Sequence, residues 1–202
     1  MDVSEWNARY AAEELPYGTG PNDFVAEQAG LIPPGPVLCL AEGYGRNALW
    51  LAARGHAVTA MEQSPVALAR ARILAAERGV AVHFVEGDLA TFEMGDGRWS
   101  GIVSTYAHVP PALRRDVHAR VVHALAPGGV FLLEAYGPAQ LGHATGGPKD
   151  VELLMSADVL RDELAGLEFL VAHDVERLVH EGPKHTGRAA VVQVVGRKPA
   201  TR

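Results

Sequence analysis

An apolar run that breaks into a Gly-x-Gly turn and then into a helix constrains this chain more than any other stretch. Val37-Leu38-Cys39-Leu40-Ala41-Glu42-Gly43-Tyr44-Gly45-Arg46-Asn47-Ala48 has this form. Glycine lets a ligand approach the backbone where a side chain would block it. The following helix directs unpaired N–H groups at whatever sits there. A second apolar run, Ala57-Val58-Thr59-Ala60-Met61-Glu62, ends in an acid placed to hold ribose hydroxyls. The pair points to a nucleoside-containing cofactor and leaves open which one.

Alternating strand and helix signals extend this start into an α/β fold with a parallel sheet. Residues 4–13 read as a short helix behind a Ser4 cap, and Asn22 to Leu31 as a second. Strands are expected at about 36–41, 57–62, 81–85, 101–106 and 130–136. Crossover helices are expected at about 45–54, from Ser64-Pro65 to Gly79, and from Pro110 to Leu125. Residues 137–150 read as a Gly-rich loop, and Ser156 caps a helix to about Leu164. Two extended runs, Glu168 to Val179 and Arg188 to Val195, are joined by too short a loop for a helical crossover and must be antiparallel. The expectation is one domain over 1–202. Cap helices occupy 1–35, and a Rossmann-like core with a seven-stranded, mostly parallel sheet occupies 36–198.

Composition narrows the partners. Hydrophobic residues make up 48% and charged residues 21%, as in a globular protein, and the formal net charge of -6 argues against a broad nucleic-acid surface. No run of 18 apolar residues suggests a membrane span, and the acidic Met1-Asp2-Val3-Ser4-Glu5 is no signal peptide. The lone Cys39 fits a reducing cytoplasm. No metal site is expected, because the nine histidines show no metalloprotease spacing.

These elements together resemble the class I S-adenosylmethionine-dependent methyltransferases over residues 36–198. Leu38 to Gly45 sits at that family's first motif, Glu62 at its ribose-binding acid, Gly87-Asp88-Leu89 at its adenine-binding element, and Ala126-Pro127-Gly128-Gly129-Val130 at the turn into strand five. A finer similarity is to small tellurite-resistance-type and thiopurine-methyltransferase-like members. It is carried by Trp6-Asn7-Ala8-Arg9-Tyr10, Tyr17-Gly18, Pro21-Asn22-Asp23-Phe24, Gly146-Gly147-Pro148-Lys149 and Glu181-Gly182-Pro183-Lys184-His185-Thr186-Gly187.

The resemblance implies S-adenosylmethionine as cofactor, S-adenosylhomocysteine as product, and a small acceptor: a thiol, a heterocycle or a chalcogen oxyanion. It implies a cofactor site drawn from Arg9, Tyr17, Glu42, Gly43, Gly45, Arg46, Asn47, Glu62, Gln63, Asp88, Leu89 and Thr105. Tyr106, His108 and His185 are the catalytic candidates, and a monomer or homodimer is expected.

Two departures stand out: Cys39 replaces the usual acid of the first motif, and Ala41 replaces its usual glycine. Glu42 is expected to take over from the missing acid. Alternatives stay open at several positions. His108 is a proton acceptor or a structural residue. His185 faces a substrate or belongs to an exposed hairpin. Arg46 holds a carboxylate or is a solvated first-turn residue. Arg114, Arg115, Asp116 and Arg120 read as a solvated helix face. Gly43-Tyr44-Gly45-Arg46-Asn47-Ala48 with Glu62 also fits an NAD-dependent oxidoreductase, and the altered first motif admits a non-catalytic cofactor-binding protein.

Overall fold

A computed structural model describes residues 2–12 and 15–200. The elements run α1 (Val3–Ala11), α2 (Asp23–Gln28), β1 (Pro36–Leu40), α3 (Arg46–Ala52), β2 (Ala57–Glu62), α4 (Pro65–Arg78), β3 (Val82–Glu86), β4 (Trp99–Thr105), α5 (Pro111–Ala124), β5 (Leu125–Tyr136), α6 (Ala157–Glu163), β6 (Glu168–His180) and β7 (Thr186–Arg197). Short 3-10 turns occupy Ala29–Leu31, Pro138–Gly142 and Val151–Leu153. The seven strands form one sheet in the order β3-β2-β1-β4-β5-β7-β6. β1 to β5 pair in parallel, while β7 is antiparallel to both β5 and β6.

Local chemistry explains the boundaries. Ser64 caps α4 through Ala67 N, Pro65 opens it, and Gly79 closes it in the left-handed conformation. Helix α1 starts at Val3, earlier than the Ser4 cap implied: Asp2 accepts from Glu5 N while the Glu5 side chain reaches back, a reciprocal capping box. The helix ends at Ala11, and Glu13 of the expected span lies outside the described residues. Strand β5 begins at Leu125 rather than 130. Leu125 pairs with Trp99 and Val130 with Gly101, and the register shift between them absorbs Pro127-Gly128-Gly129 as an irregularity inside the strand.

Apolar clusters cover both faces of the sheet. On one, Leu38, Ile102, Phe131 and Leu133 pack with Val117, Val121 and Leu160; on the other, Val37, Cys39, Val103 and Leu132 pack with Phe24, Val25, Ala48 and Leu51. Burial on both sides explains the nearly continuous apolar runs of β1, β4 and β5. Each such fully buried aliphatic side chain contributes about 1.5–3 kcal/mol. Cys39 packs among them, wholly buried as a small apolar residue.

The solvated-face expectation for α5 fails at Arg114. Its side chain is buried and donates to both Glu163 oxygens and to the Glu152 carbonyl, fastening α5 to α6. Arg120 pairs with Asp116 but also donates to the Leu89 and Phe92 carbonyls, holding the β3–β4 connection. Arg115 is exposed as expected.

Candidate functional site

The parallel strands β1, β2 and β4 end together at one edge, and strand order reverses between β1 and β4. In open α/β sheets ligands bind beyond such strand ends. The backbone after β1 takes the left-handed conformation at Ala41 (φ 47°), Gly43 (φ 64°) and Gly45 (φ 89°). Gly43 needs its missing side chain: a Cβ there would lie 2.8 Å from the Tyr10 hydroxyl. Ala41 adopts this conformation without glycine, a strained arrangement.

Glu62 closes the turn. Its carboxylate accepts from Gly43 N at 2.9 Å and from Ser64 N at 2.9 Å, so each oxygen has filled one of its two acceptor sites. Burial raises its pKa, and these amide bonds oppose the rise. Glu42 lies beneath. It caps α3 by accepting from Asn47 N at 2.7 Å and Ala48 N at 2.8 Å. Burial pushes its pKa up to about 7 against those bonds. Glu42 therefore organises the turn from below. Asn47 spreads the tie, with its side-chain amide on Thr105 Oγ1 at 3.0 Å and its oxygen accepting from Asn22 N at 2.8 Å.

The N-terminal segment folds over this turn. Ser64 Oγ donates to Asn7, Tyr44 Oη donates to the Gly18 carbonyl and accepts from Tyr17 N, and Arg70 donates to the Tyr10 and Ala12 carbonyls. Arg9 lies over the Trp6 ring and donates to the Tyr17 hydroxyl at 2.9 Å. The turn between β6 and β7 meets the same segment, where Lys184 N donates to the Pro16 carbonyl.

A buried polar knot lies alongside. Glu134 is completely buried in β5 and accepts five hydrogen bonds, one from Asn22, one from Tyr106 Oη, two from Arg177 and one from Gln193. Glu181 accepts from Asn22 and Arg177 and pairs with Arg46 at 2.6 Å. Arg46 is thus a buried ion-pair partner rather than a solvated first-turn residue. Among the described residues its Nη1 has no hydrogen-bond partner, and neither do Glu181 Oε2 and His185 Nδ1; all three are buried. The ring of His185 packs against Tyr17, Tyr106 and Tyr136, with centroids 4.6, 4.5 and 5.5 Å away. Burial, with Arg46 as the foremost neighbouring charge, pushes its pKa down to about 3.

The remaining candidates divide. Tyr106 joins the aromatic group, half-buried and at φ 55°. His108 is not a free proton acceptor: Nδ1 donates to the Leu153 carbonyl at 2.8 Å and Nε2 accepts from Tyr136 N at 3.2 Å. Burial lowers its pKa to about 4. Its place is structural, holding the Val151–Leu153 turn against β5. Asp88 is exposed at the rim, its carboxylate on Ala90 N; the loop is joined to the β2 end by Gly87 N on the Glu62 carbonyl. Leu89 packs against the core, and Gln63 is half-buried beside Glu62.

Sequence reasoning did not find Glu134, Arg177 and Tyr136. The signal for Glu134 was present: a single charge inside the apolar run Val130-Phe131-Leu132-Leu133-Glu134-Ala135-Tyr136, where a solvated position is not available.

The sheet order, terminal antiparallel pair and Gly-rich turn define a Rossmann-like fold of the methyltransferase type. Residues 37–129 match the family described as a methyltransferase domain. The chain is 35% identical over 120 residues to a 2-heptyl-1-hydroxyquinolin-4(1H)-one methyltransferase of Mycobacteroides abscessus, covering 58% of this chain. It spans about half (53%) of that curated relative's length. Solved structures share the fold. One concerns conversion of a disulfide bond into a thioacetal group during echinomycin biosynthesis (TM-score 0.76, 24% identity, 99% of this chain and 93% of that one). Another is TehB from Haemophilus influenzae (TM-score 0.72, 19% identity, 86% and 61%). A third is the [4+2]-cyclase SpnF (TM-score 0.70, 18% identity, 98% and 93%).

Proposed function

We propose that this chain transfers the methyl group of S-adenosylmethionine to a small-molecule acceptor. The observation that carries the reading is the Gly43-Tyr44-Gly45 turn, held by Glu62 at the carboxyl ends of β1 and β2 beside Arg46, whose guanidinium pairs with Glu181 and keeps donor capacity at Nη1. This donor set suits the cofactor: a close backbone approach, an acid with acceptor capacity left for ribose hydroxyls, and a cation for a carboxylate. The match of residues 37–129 to a methyltransferase domain supports it.

Glu62, Gly43, Gly45 and Asn47 would hold the cofactor, with Gln63, Asp88 and Leu89 at its rim and Thr105 fixed by Asn47. Arg9 and Tyr17 would close over it. Bound there, the cofactor supplies an electrophilic methyl group on a sulfonium. The chain's own task is then to orient the acceptor and exclude water. Tyr106 and His185 are the acceptor-side residues in this reading. Among the acceptors considered (a thiol, a heterocycle or a chalcogen oxyanion), the heterocycle gains support from the hydroxyquinolinone substrate named for the M. abscessus relative. The tellurite-resistance-type affinity rests on the N-terminal and 181–187 motifs, and TehB shares the fold. We take residues 1–202 as one domain working in the cytoplasm as a monomer or homodimer. No described helix is long and apolar enough to cross a membrane.

Calorimetric titration with S-adenosylhomocysteine, with NAD in parallel, tests the reading. Binding of S-adenosylhomocysteine alone supports it, and binding of NAD alone overturns it. Glu62→Ala is expected to weaken S-adenosylhomocysteine binding by about 1–3 kcal/mol, the usual loss for a buried polar contact, and Asp88→Ala, at the exposed rim, by about 0.5–1.5 kcal/mol. Unchanged affinity in both would remove the site assignment.

A further inference from the structure

We propose that Glu181 receives the α-ammonium of S-adenosylmethionine while Arg46 receives its α-carboxylate, so that the β6–β7 turn holds part of the cofactor's amino-acid end. This role for Glu181 rests on the methyl-transfer reading and names the residue that meets the ammonium. Three buried polar atoms lack hydrogen-bond partners among the described residues: Arg46 Nη1, Glu181 Oε2 and His185 Nδ1. Arg46 Nη2 meets Glu181 Oε2 at 2.6 Å, so the spare donor and the spare acceptor belong to one ion pair. The other Glu181 oxygen is filled, accepting from Asn22 Nδ2 and Arg177 Nη2 at 2.8 Å each. Buried polar groups are ordinarily satisfied, and several left open together call for an occupant that satisfies them.

The two open atoms of the pair are opposite in kind. Arg46 Nη1 can only donate, and Glu181 Oε2 can only accept. A carboxylate alone leaves Glu181 open, and an ammonium alone leaves Arg46 open. An occupant carrying both closes the pair. Charge selects the same occupant. The knot sets two buried carboxylates, Glu134 and Glu181, against two guanidiniums, Arg46 and Arg177. It is balanced as it stands, with Asp23 on the more exposed side of Arg177. A single ion would upset that balance where uncompensated charge is costly, whereas a zwitterion adds no net charge. His185 stays neutral because burial and Arg46 lower its pKa, and a neutral imidazole nitrogen donates or accepts according to its tautomer. It therefore suits either end.

Position gives the zwitterion to the cofactor rather than to a free amino acid. Arg46 follows Gly45 directly and is the first residue of α3, at the Gly-rich turn itself. Glu181 reaches the same turn from late in the chain. Asn22 joins them, donating through its side chain to Glu181 and through its backbone N to the side chain of Asn47, the second residue of α3. The other acids at this turn are occupied differently. Glu42 Oε1 takes the Asn47 and Ala48 amides, and its Oε2 faces the Asn47 side chain at 3.4 Å. Glu62 takes the Gly43 and Ser64 amides and keeps its remaining acceptor sites for ribose. Glu181 is the acid here that shares an ion pair with Arg46 and still has an open oxygen.

The test is calorimetric and compares S-adenosylhomocysteine with its analogue lacking the α-amino group, its analogue lacking the α-carboxylate, and 5′-methylthioadenosine, which lacks the whole amino-acid end. On the unmutated protein, loss of either charged group should weaken binding about tenfold or more, a difference of about 1.4 kcal/mol. Glu181→Gln should stop distinguishing S-adenosylhomocysteine from the analogue without the amino group and still reject the one without the carboxylate. Arg46→Gln should show the converse. Both variants should bind 5′-methylthioadenosine as the unmutated protein does. If Glu181→Gln weakens all the ligands alike, Glu181 is structural and the proposal is overturned. Equal binding of S-adenosylhomocysteine and the analogue without the amino group by the unmutated protein overturns it too, with no variant required to fold, and leaves methyl transfer standing. So does binding of free glycine to protein already saturated with S-adenosylhomocysteine, which would place the zwitterion site on the acceptor side. Failure of both S-adenosylhomocysteine and 5′-methylthioadenosine to bind would remove the methyl-transfer reading as well.

Discussion

Arg114 and Arg46 are both buried arginines in the first turn of a helix, each paired with a glutamate from late in the chain. Around Arg114 the accounting is complete. The guanidinium is shared between both Glu163 oxygens and the Glu152 carbonyl, and His118 Nδ1 meets Glu163 Oε2 at 2.8 Å. Burial alone would raise the Glu163 pKa, but the His118 and Arg114 bonds pull it below its ordinary value. Around Arg46 the accounting stops short: among the described residues Arg46 Nη1, Glu181 Oε2 and His185 Nδ1 lack hydrogen-bond partners. Closed clusters of this kind fasten helices together. An open one in a similarly dry setting costs folding energy with no internal return, which is the signature of a place kept for a ligand.

The largest effect should come from opening the closed cluster. Glu163→Ala leaves Arg114 buried without its counterion and is expected to cost about 3–5 kcal/mol in urea unfolding. S-adenosylhomocysteine affinity, measured on the folded fraction, should change little. Arg46→Gln should reverse the pattern. Glu181 keeps Asn22 and Arg177, so stability should fall by only about 1–2 kcal/mol, while single-turnover methyl transfer drops by more than tenfold. If Arg46→Gln proves the more destabilising of the two, the contrast between the clusters is wrong.

Smaller effects sharpen the view of the turn. Ala41→Gly should relieve the left-handed strain at φ 47°. It should raise stability by about 0.5–1 kcal/mol, part of the gain being offset by the freer unfolded chain. A lower melting temperature would show that Ala41 packs better than its backbone angle suggests. Glu42 gives a pH signature. Its pKa in the folded protein is raised to about 7, so the folded state holds a proton that the unfolded state releases earlier. Stability should therefore decline as pH rises from the ordinary glutamate range toward 7, and Glu42→Gln should flatten that decline in urea titrations at several pH values.

The sequence made the sheet and the cofactor edge legible for a physical reason. Turns such as Gly43-Tyr44-Gly45 and caps such as Ser64-Pro65 are local, so their signal lies within a few residues. Strand starts were less secure: a Pro-Gly-Gly segment reads as a turn, and only pairing of Leu125 with Trp99 brings it into β5. The acceptor side was harder still. Glu134 meets Asn22, Arg177 and Gln193 across long sequence separations. No local pattern announces such an assembly. Arg114 misled because a charge on an otherwise polar helix looks solvated, and its partner lies on another element. His108 misled for a related reason: its position after β4 pointed to chemistry, but Leu153 and Tyr136 N take up both nitrogens.

Gly18 and Gly182 meet backbone to backbone where the N-terminal segment crosses the β6–β7 turn. A Cβ added at Gly182 would collide with the Tyr17 and Gly18 main chain, and Gly182 itself lies at φ 81°. The two flaps over the site thus close like a zip whose final teeth carry no side chains. A single methyl group at position 182 would act as a wedge there, pushing the flaps apart at the Tyr17 and Gly18 main chain. Gly182→Ala is therefore a handle for parting the N-terminal segment from the β6–β7 turn.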